Sequence, residues 1–138
     1  MSSGPENTFI RSVHKFLPPG LYHMKNHNQY VSGPADVWYD GPRTDMWAEY
    51  KFIVVPKRET TVIDLVGGKN PLLTPLQQKW LADRHDNGRT VMVIVGCAAG
   101  GVVFPGRSWE QPIDAAAFVR RLQSRRDLAD MIKAITHG

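Results

Sequence analysis

Asp36-Val37-Trp38-Tyr39-Asp40-Gly41-Pro42-Arg43-Thr44-Asp45-Met46-Trp47-Ala48-Glu49-Tyr50-Lys51 is the stretch on which the fold and the chemistry turn. Gly41-Pro42 interrupts it, and on either side β-branched and aromatic residues mix with polar ones, as in two strands over residues 35–40 and 46–55. So short a connection makes them an antiparallel hairpin. Glu49 and Lys51 stand two apart on the second strand, so their side chains leave the same face. Asp36, near the start of the neighbouring strand, approaches that pair across the hairpin. The rest of the second strand includes Trp47, Phe52, Ile53 and Val54. Buried charge in such company is costly unless it is paired or binds metal. Two hard carboxylate ligands with room for water suit Mg²⁺, which takes one or two carboxylates plus phosphate oxygens. Such a site supports phosphodiester hydrolysis: the metal polarises the phosphate and acidifies a water, while the ammonium offsets charge developing in the transition state. A plain Glu49–Lys51 salt bridge on an exposed strand face fits the same spacing, and these residues alone leave that alternative open.

Upstream, Pro5 suits the first turn of a helix, and Phe9, Ile10, Val13, Phe16 and Leu17 form one apolar stripe at helical spacing over residues 5–17. Glu6, three and four residues before Phe9 and Ile10, shares that inward stripe. Its simplest role is a first-turn acid complementing the helix dipole. Pro18-Pro19-Gly20 ends the helix, and residues 21–31 read as one or two short strands. His23 and His27 are spaced for a metal on a helix, but this stretch is not helical and supplies no third soft ligand, so zinc is not expected. Asn26-His27-Asn28 resembles an HNH nuclease motif without the surroundings of one.

Downstream, residues 56–73 read as a long polar loop. Thr74-Pro75-Leu76-Gln77 then opens a helix: Thr74 is the N-cap, Pro75 takes the first helical position and Gln77 closes a capping box. Asn87-Gly88 ends it near Asp86. Thr90-Val91-Met92-Val93-Ile94-Val95 is almost unbroken apolar sequence of strand length, the mark of a strand buried on both faces. Residues 100–104 make a further short strand. Two helices follow over residues 114–123 and 125–135, Ser124 with Asp127 capping the second.

The chain has 138 residues, 42% hydrophobic and 22% charged, which suits one globular domain. We expect a core over about residues 5–104 and a C-terminal helical extension over about 112–136. One cysteine excludes an intramolecular disulfide framework and a zinc site built from several thiolates. No apolar run approaches the roughly 20 residues of a membrane span, and residues 1–6 lack a secretory pattern, so a cytoplasmic protein without a membrane partner is expected. Seventeen Lys and Arg against 13 acids give a net charge of +4, compatible with DNA as partner without establishing it.

Gly33-Pro34-Ala35-Asp36 followed by Glu49-Tyr50-Lys51 resembles the PD-(D/E)XK nuclease signature, with Ala35 where that signature has proline. Glu6 matches the acidic residue many of these enzymes carry on the first helix. Residues 73–81, with Gln77 at the helix start, then Gly88 and Val91 to Val95, resemble the VRR-NUC branch and related phage endonucleases. The resemblance spans about residues 6–104. It implies an α/β, restriction-endonuclease-like fold, with a mixed sheet of about four or five strands flanked by helices. It also implies that Asp36, Glu49 and the Tyr50 carbonyl bind Mg²⁺, with Mn²⁺ able to substitute and no organic cofactor. Lys51 would orient the attacking water or stabilise the phosphorane, Glu6 would hold water on the metal or a second ion, and Gln77 would join the site.

Lys57, Arg58 and Lys69 lie on the loop after the active strand, and Arg120, Arg121, Arg125 and Arg126 cluster between the last two helices. All are placed to hold phosphates, which positions DNA without reading sequence; a solvated helical face explains the arginine cluster equally well. The expected activity is a Mg²⁺-dependent DNA endonuclease, structure-selective for branched DNA or weakly sequence-specific. Paired cuts suggest a homodimer, and a phage origin follows from the resemblance alone. A nicking or degradative phage nuclease, and a non-catalytic DNA-binding module on the same scaffold, stand as alternatives. So does an interaction domain in which the acid–lysine pair is only a salt bridge.

Overall fold

Local signals set the elements of the chain, and burial sets their limits. In the computed structural model, which describes residues 4–26 and 33–138, they run α1 (Gly4–His14), β1 (Tyr22–Lys25), β2 (Val37–Asp40), β3 (Asp45–Phe52), β4 (Val62–Ile63), α2 (Pro75–Asp86), β5 (Val91–Cys97), β6 (Gly100–Pro105), a 3₁₀ turn (Ser108–Glu110), β7 (Ile113–Asp114), α3 (Ala115–Arg120) and α4 (Arg125–His137). The His27 half of the His23/His27 pair, and the end of the strand expected to reach residue 31, lie outside the described residues.

Five strands form the main sheet in the order β1-β2-β3-β5-β6. β3 and β5 are parallel and the other neighbours antiparallel, giving a mixed sheet. Every residue of β5 is buried, as its unbroken apolar run requires. The β2–β3 hairpin forms as expected, Val37 facing Ala48 and Trp38 facing Trp47. β3 stops at Phe52 rather than Val55; from there the chain leaves the sheet after one bond from Ile53 N–H to the Gly96 carbonyl (2.9 Å).

Each face of the sheet carries its own core. On one face α1 and α4 cover Val37, Tyr39, Ala48, Tyr50, Met92 and Ile94. On the other, Val91, Val93 and Val95 pack with Leu81 of α2 and with Trp109 and Phe118. The strand period of two therefore sends Tyr50 into the first core and turns Glu49 and Lys51 to the α2 side.

Three expectations need correction. Residues 56–73 are not merely a polar loop: β4 pairs with β7 in a second, two-stranded sheet, and Ile63, Leu65 and Leu73 are buried. Single apolar residues among polar neighbours carry no periodicity, so only a partner 50 residues later in the chain reveals them as core. α3 is shorter than expected, ending at Arg120, because Gln123 turns back to bridge Gly101 on the free edge of β6. The bridge covers the Gly101 end of that edge. Gly100 (φ +151°) is required there, since a Cβ would strike the Gln123 carbonyl. Finally, α4 is no extension: Leu128, Ala129 and Ile132 are buried in the first core beside Phe9, Ile10 and Val13. α1 in turn ends one turn early, leaving Phe16 42% exposed under the Arg126 guanidinium, 5.0 Å from the ring centroid.

Candidate active site

The hairpin forks at its open end. β2 begins at Val37, so the ladder stops at the Val37–Ala48 pair and Asp36 lies just beyond it. There the Asp36 carboxylate replaces the missing strand, accepting the Tyr50 N–H at Oδ2 (2.9 Å). A strand residue sends its N–H and C=O out by the same edge. The Tyr50 carbonyl therefore leaves β3 on the Asp36 side, past the last residue of β2.

Glu49 is the centre of the cluster. Its side chain is 1% exposed, and Oε2 receives both the Lys51 ammonium at 3.4 Å and the Gln77 Nε2 at 3.1 Å. Among the described residues no donor reaches Oε1, although that atom is buried. Gln77 divides its amide between two tasks: Oε1 accepts from the Thr74 N–H (3.0 Å), completing the capping box, while Nε2 reaches Glu49. Capping and site membership, which compete as readings of Gln77 in sequence, coexist in one side chain.

Glu6 is buried at the N-terminal end of α1 and electrostatically coupled to Asp36, Lys51 and Lys25. Burial first, then repulsion from Asp36, raises its pKa to about 7 against the pull of Lys51. Glu49 is also pushed well above the usual carboxylate range, mainly by burial, next by Asp36, with Lys51 opposing. Among the described residues Asp36 and Glu49 lie close together, and Lys51 is the cation that bonds Glu49. Such a site favours a cation or a proton. Among the described residues no three His, Cys, Asp or Glu side chains are arranged to enclose one ion.

Lys57, Arg58, Lys69, Arg120, Arg121 and Arg126 are exposed, and none of them pairs with Asp36 or Glu49 among the described residues. Arg125 differs from the other basic residues. Its guanidinium donates to Ser12 Oγ (2.8 Å) and to the Ala98 and Cys97 carbonyls (both 3.3 Å), and it lies 5.0 Å from the Phe9 ring centroid. Those contacts tie α4 to α1 and to the end of β5.

A chain of side-chain contacts runs on the other side of β3. Tyr50 Oη and Tyr39 Oη lie 2.5 Å apart, and Tyr39 Oη lies 2.7 Å from His14 Nε2. It links the core under the site to the end of α1. Only pairing register brings these three residues together, although alternation along the strands could have marked both tyrosines as inward.

No family model and no curated protein matches the chain. Among solved structures, that of Hjc, a Holliday junction resolvase from the archaeal hyperthermophile Archaeoglobus fulgidus, is similar with a TM-score of 0.56 and 17% identity. The match covers 91% of this chain and 97% of that one. Identity at that level speaks for architecture alone. The five-stranded mixed sheet with helices on both faces is the restriction-endonuclease-like fold.

Proposed function

We propose that the chain is a divalent-metal-dependent DNA endonuclease of the PD-(D/E)XK type, in its VRR-NUC branch, acting on branched DNA. The observation that carries the reading is Glu49: a buried carboxylate held by Lys51 and Gln77, with Oε1 left without a donor among the described residues. Burying such a group costs stability that no packing role repays. Asp36, Glu49 and the Tyr50 carbonyl would hold Mg²⁺ or Mn²⁺, an oxygen set of the kind Mg²⁺ takes together with water and phosphate. When bound, the cation supplies Lewis-acid polarisation of the scissile phosphate and lowers the pKa of water.

The protein's own part is positioning. Gln77 and Lys51 fix the Glu49 carboxylate in one rotamer, and the Tyr50 N–H fixes Asp36. The Lys51 ammonium, at the same face of β3, lies where it can meet charge growing on a phosphate oxygen. Glu6, with its pKa near 7, can exchange a proton at neutral pH and suits the orientation of a water. Exposed Lys57, Arg58, Lys69, Arg120, Arg121 and Arg126 would contribute phosphate contacts. A four-way junction is the substrate to try first, the similar solved structure being that of a Holliday junction resolvase, and two copies of the chain would make paired cuts.

The test is cleavage of supercoiled plasmid and of a labelled four-way junction with Mg²⁺ or Mn²⁺, wild type beside Glu49→Gln. Cutting by the wild type alone supports the reading. Equal cutting by both, or none on either substrate, overturns it. Symmetric paired nicks in the junction, with a dimer in light scattering, support resolution of branched DNA. Scattered nicks in plain duplex favour a nicking nuclease.

A further inference from the structure

Tyr50 serves the candidate site with its backbone and the core with its side chain. Its N–H anchors Asp36, and its carbonyl leaves β3 on the same side. The β2–β3 ladder ends two residues earlier, at the Val37–Ala48 pair, so β2 no longer holds this edge of β3 at Tyr50. On the other edge β5 continues past it, with Ile94 facing Tyr50. What fixes Tyr50 from the opposite face of the sheet is its ring. That ring is fully buried, 6.3 Å between centroids from Phe9 of α1.

The ring ends in a polar contact inside an apolar core. Tyr50 Oη lies 2.5 Å from Tyr39 Oη, and Tyr39 Oη lies 2.7 Å from Nε2 of His14, the last residue of α1. Both tyrosines are fully buried among Val37, Met46, Ala48, Met92 and Ile94. Burial holds the His14 ring neutral, so its Nε2 is free to accept. Tyr50 then donates to Tyr39 and Tyr39 to His14, and each hydroxyl proton of the chain has an acceptor. Two phenylalanines would fill the same space without burying polar groups at all. What the hydroxyls add is geometry: apolar packing is non-directional, whereas a hydrogen bond fixes a distance and an angle. The chain also ties the strand that carries Glu49 to the helix that carries Glu6.

We infer that Tyr39 is a positioning residue for the cation site: its hydroxyl holds Tyr50, and through Tyr50 it sets the N–H that anchors Asp36 and the carbonyl beside it. The inference rests on the nuclease reading above and adds to it a residue on the face of the sheet turned away from Glu49 and Lys51. Tyr39 acts only through Tyr50. Its loss leaves the Asp36 and Glu49 carboxylates in place and loosens the backbone between them. Hydrogen bonds that orient a metal's ligands in this way are worth about 10–100-fold in metal affinity.

The test is binding of Mn²⁺ alone to the full chain, read by electron paramagnetic resonance as the signal of free Mn²⁺ falls, with thermal unfolding of each variant beside it. The wild type should bind, and Glu49→Gln should lose the ion. Tyr39→Phe keeps the ring and should fold, while its Mn²⁺ affinity drops about tenfold. Ile132→Ala, in the same core but off the chain, should melt lower yet lose less than about twofold in affinity. Tyr50→Phe removes the same bond from its other end and carries the test if Tyr39→Phe fails to fold. It should weaken Mn²⁺ binding as Tyr39→Phe does, and the double variant should be no weaker than either. Unchanged affinity in the phenylalanine variants, an equal loss in Ile132→Ala, or losses that add in the double variant overturn the positioning role and leave the nuclease reading standing. A wild type that binds no Mn²⁺, or a Glu49→Gln variant that binds it equally well, overturns the cation site and this inference with it.

Discussion

At the residue scale, the candidate site is a place where stability has been given up. Glu49 is buried among apolar neighbours, faces Asp36, and among the described residues is compensated by Lys51 and Gln77. Removing its charge while keeping its shape should relieve that conflict. Glu49→Gln is expected to raise the melting temperature without divalent cation by a few degrees, about 1 kcal/mol, and to abolish cleavage. Lower stability together with lost activity would mean that Glu49 is a structural ion-pair partner. Sequence showed Asp36, Glu49 and Lys51 as a group because strand alternation and a short hairpin bring them together locally. Glu6 was visible only as an acid on an inward stripe. Its raised pKa comes from burial and from Asp36, which are products of packing α1 over the end of the sheet.

At the element scale, α2 shows how one turn of helix serves both fold and site. Thr74 caps it, Pro75 opens it, and Gln77 bonds both the cap and Glu49. Thr74→Ala and Gln77→Ala should each cost about 1 kcal/mol in chemical denaturation by weakening the capping box. Only Gln77→Ala should also lower kcat, by about tenfold or more, since it alone frees the Glu49 carboxylate. Equal activity in the two variants would reduce Gln77 to a cap. α4 makes the complementary point. Its capping box at Ser124 and Asp127 and its apolar spacing were legible, but its place in the main core was not. Ile132→Ala, fully buried between α4 and the sheet, is expected to cost about 2–5 kcal/mol by urea unfolding. A cost below about 1 kcal/mol would restore α4 to the status of an appendage.

At the scale of the whole molecule, buried ionisable groups on α1 couple stability to pH in opposite senses. His14 is pushed from 6.5 to about 4 by burial, with smaller contributions from His23 and Lys25. Its ring is neutral in the fold and takes a proton more readily in the unfolded chain. Its cost is therefore absent above pH 6.5 and grows as pH falls toward 4, to about 2 kcal/mol after allowance for partial solvation. Glu6, raised to about 7, behaves in reverse: its cost is absent below pH 4.5 and grows as pH rises to 7. Thermal melts without divalent cation should show the advantage of His14→Phe over wild type growing on acidification from pH 6.5. The advantage of Glu6→Gln should grow on alkalinisation from pH 4.5. A constant offset for either variant would contradict the buried environment assigned to that group. Among the described residues no helix is long and apolar enough to cross a membrane. The helices, the main-sheet strands, the hairpin and the Asp36–Glu49–Lys51 set were legible in the sequence itself, because they depend on periodicity, capping and turns between near neighbours. Tertiary structure alone decided that residues 56–73 carry core, that Arg125 bonds Ser12 and the end of β5, and that Gln77 meets Glu49. Those facts depend on which distant segments are paired and which face each strand presents, and no local pattern encodes that choice.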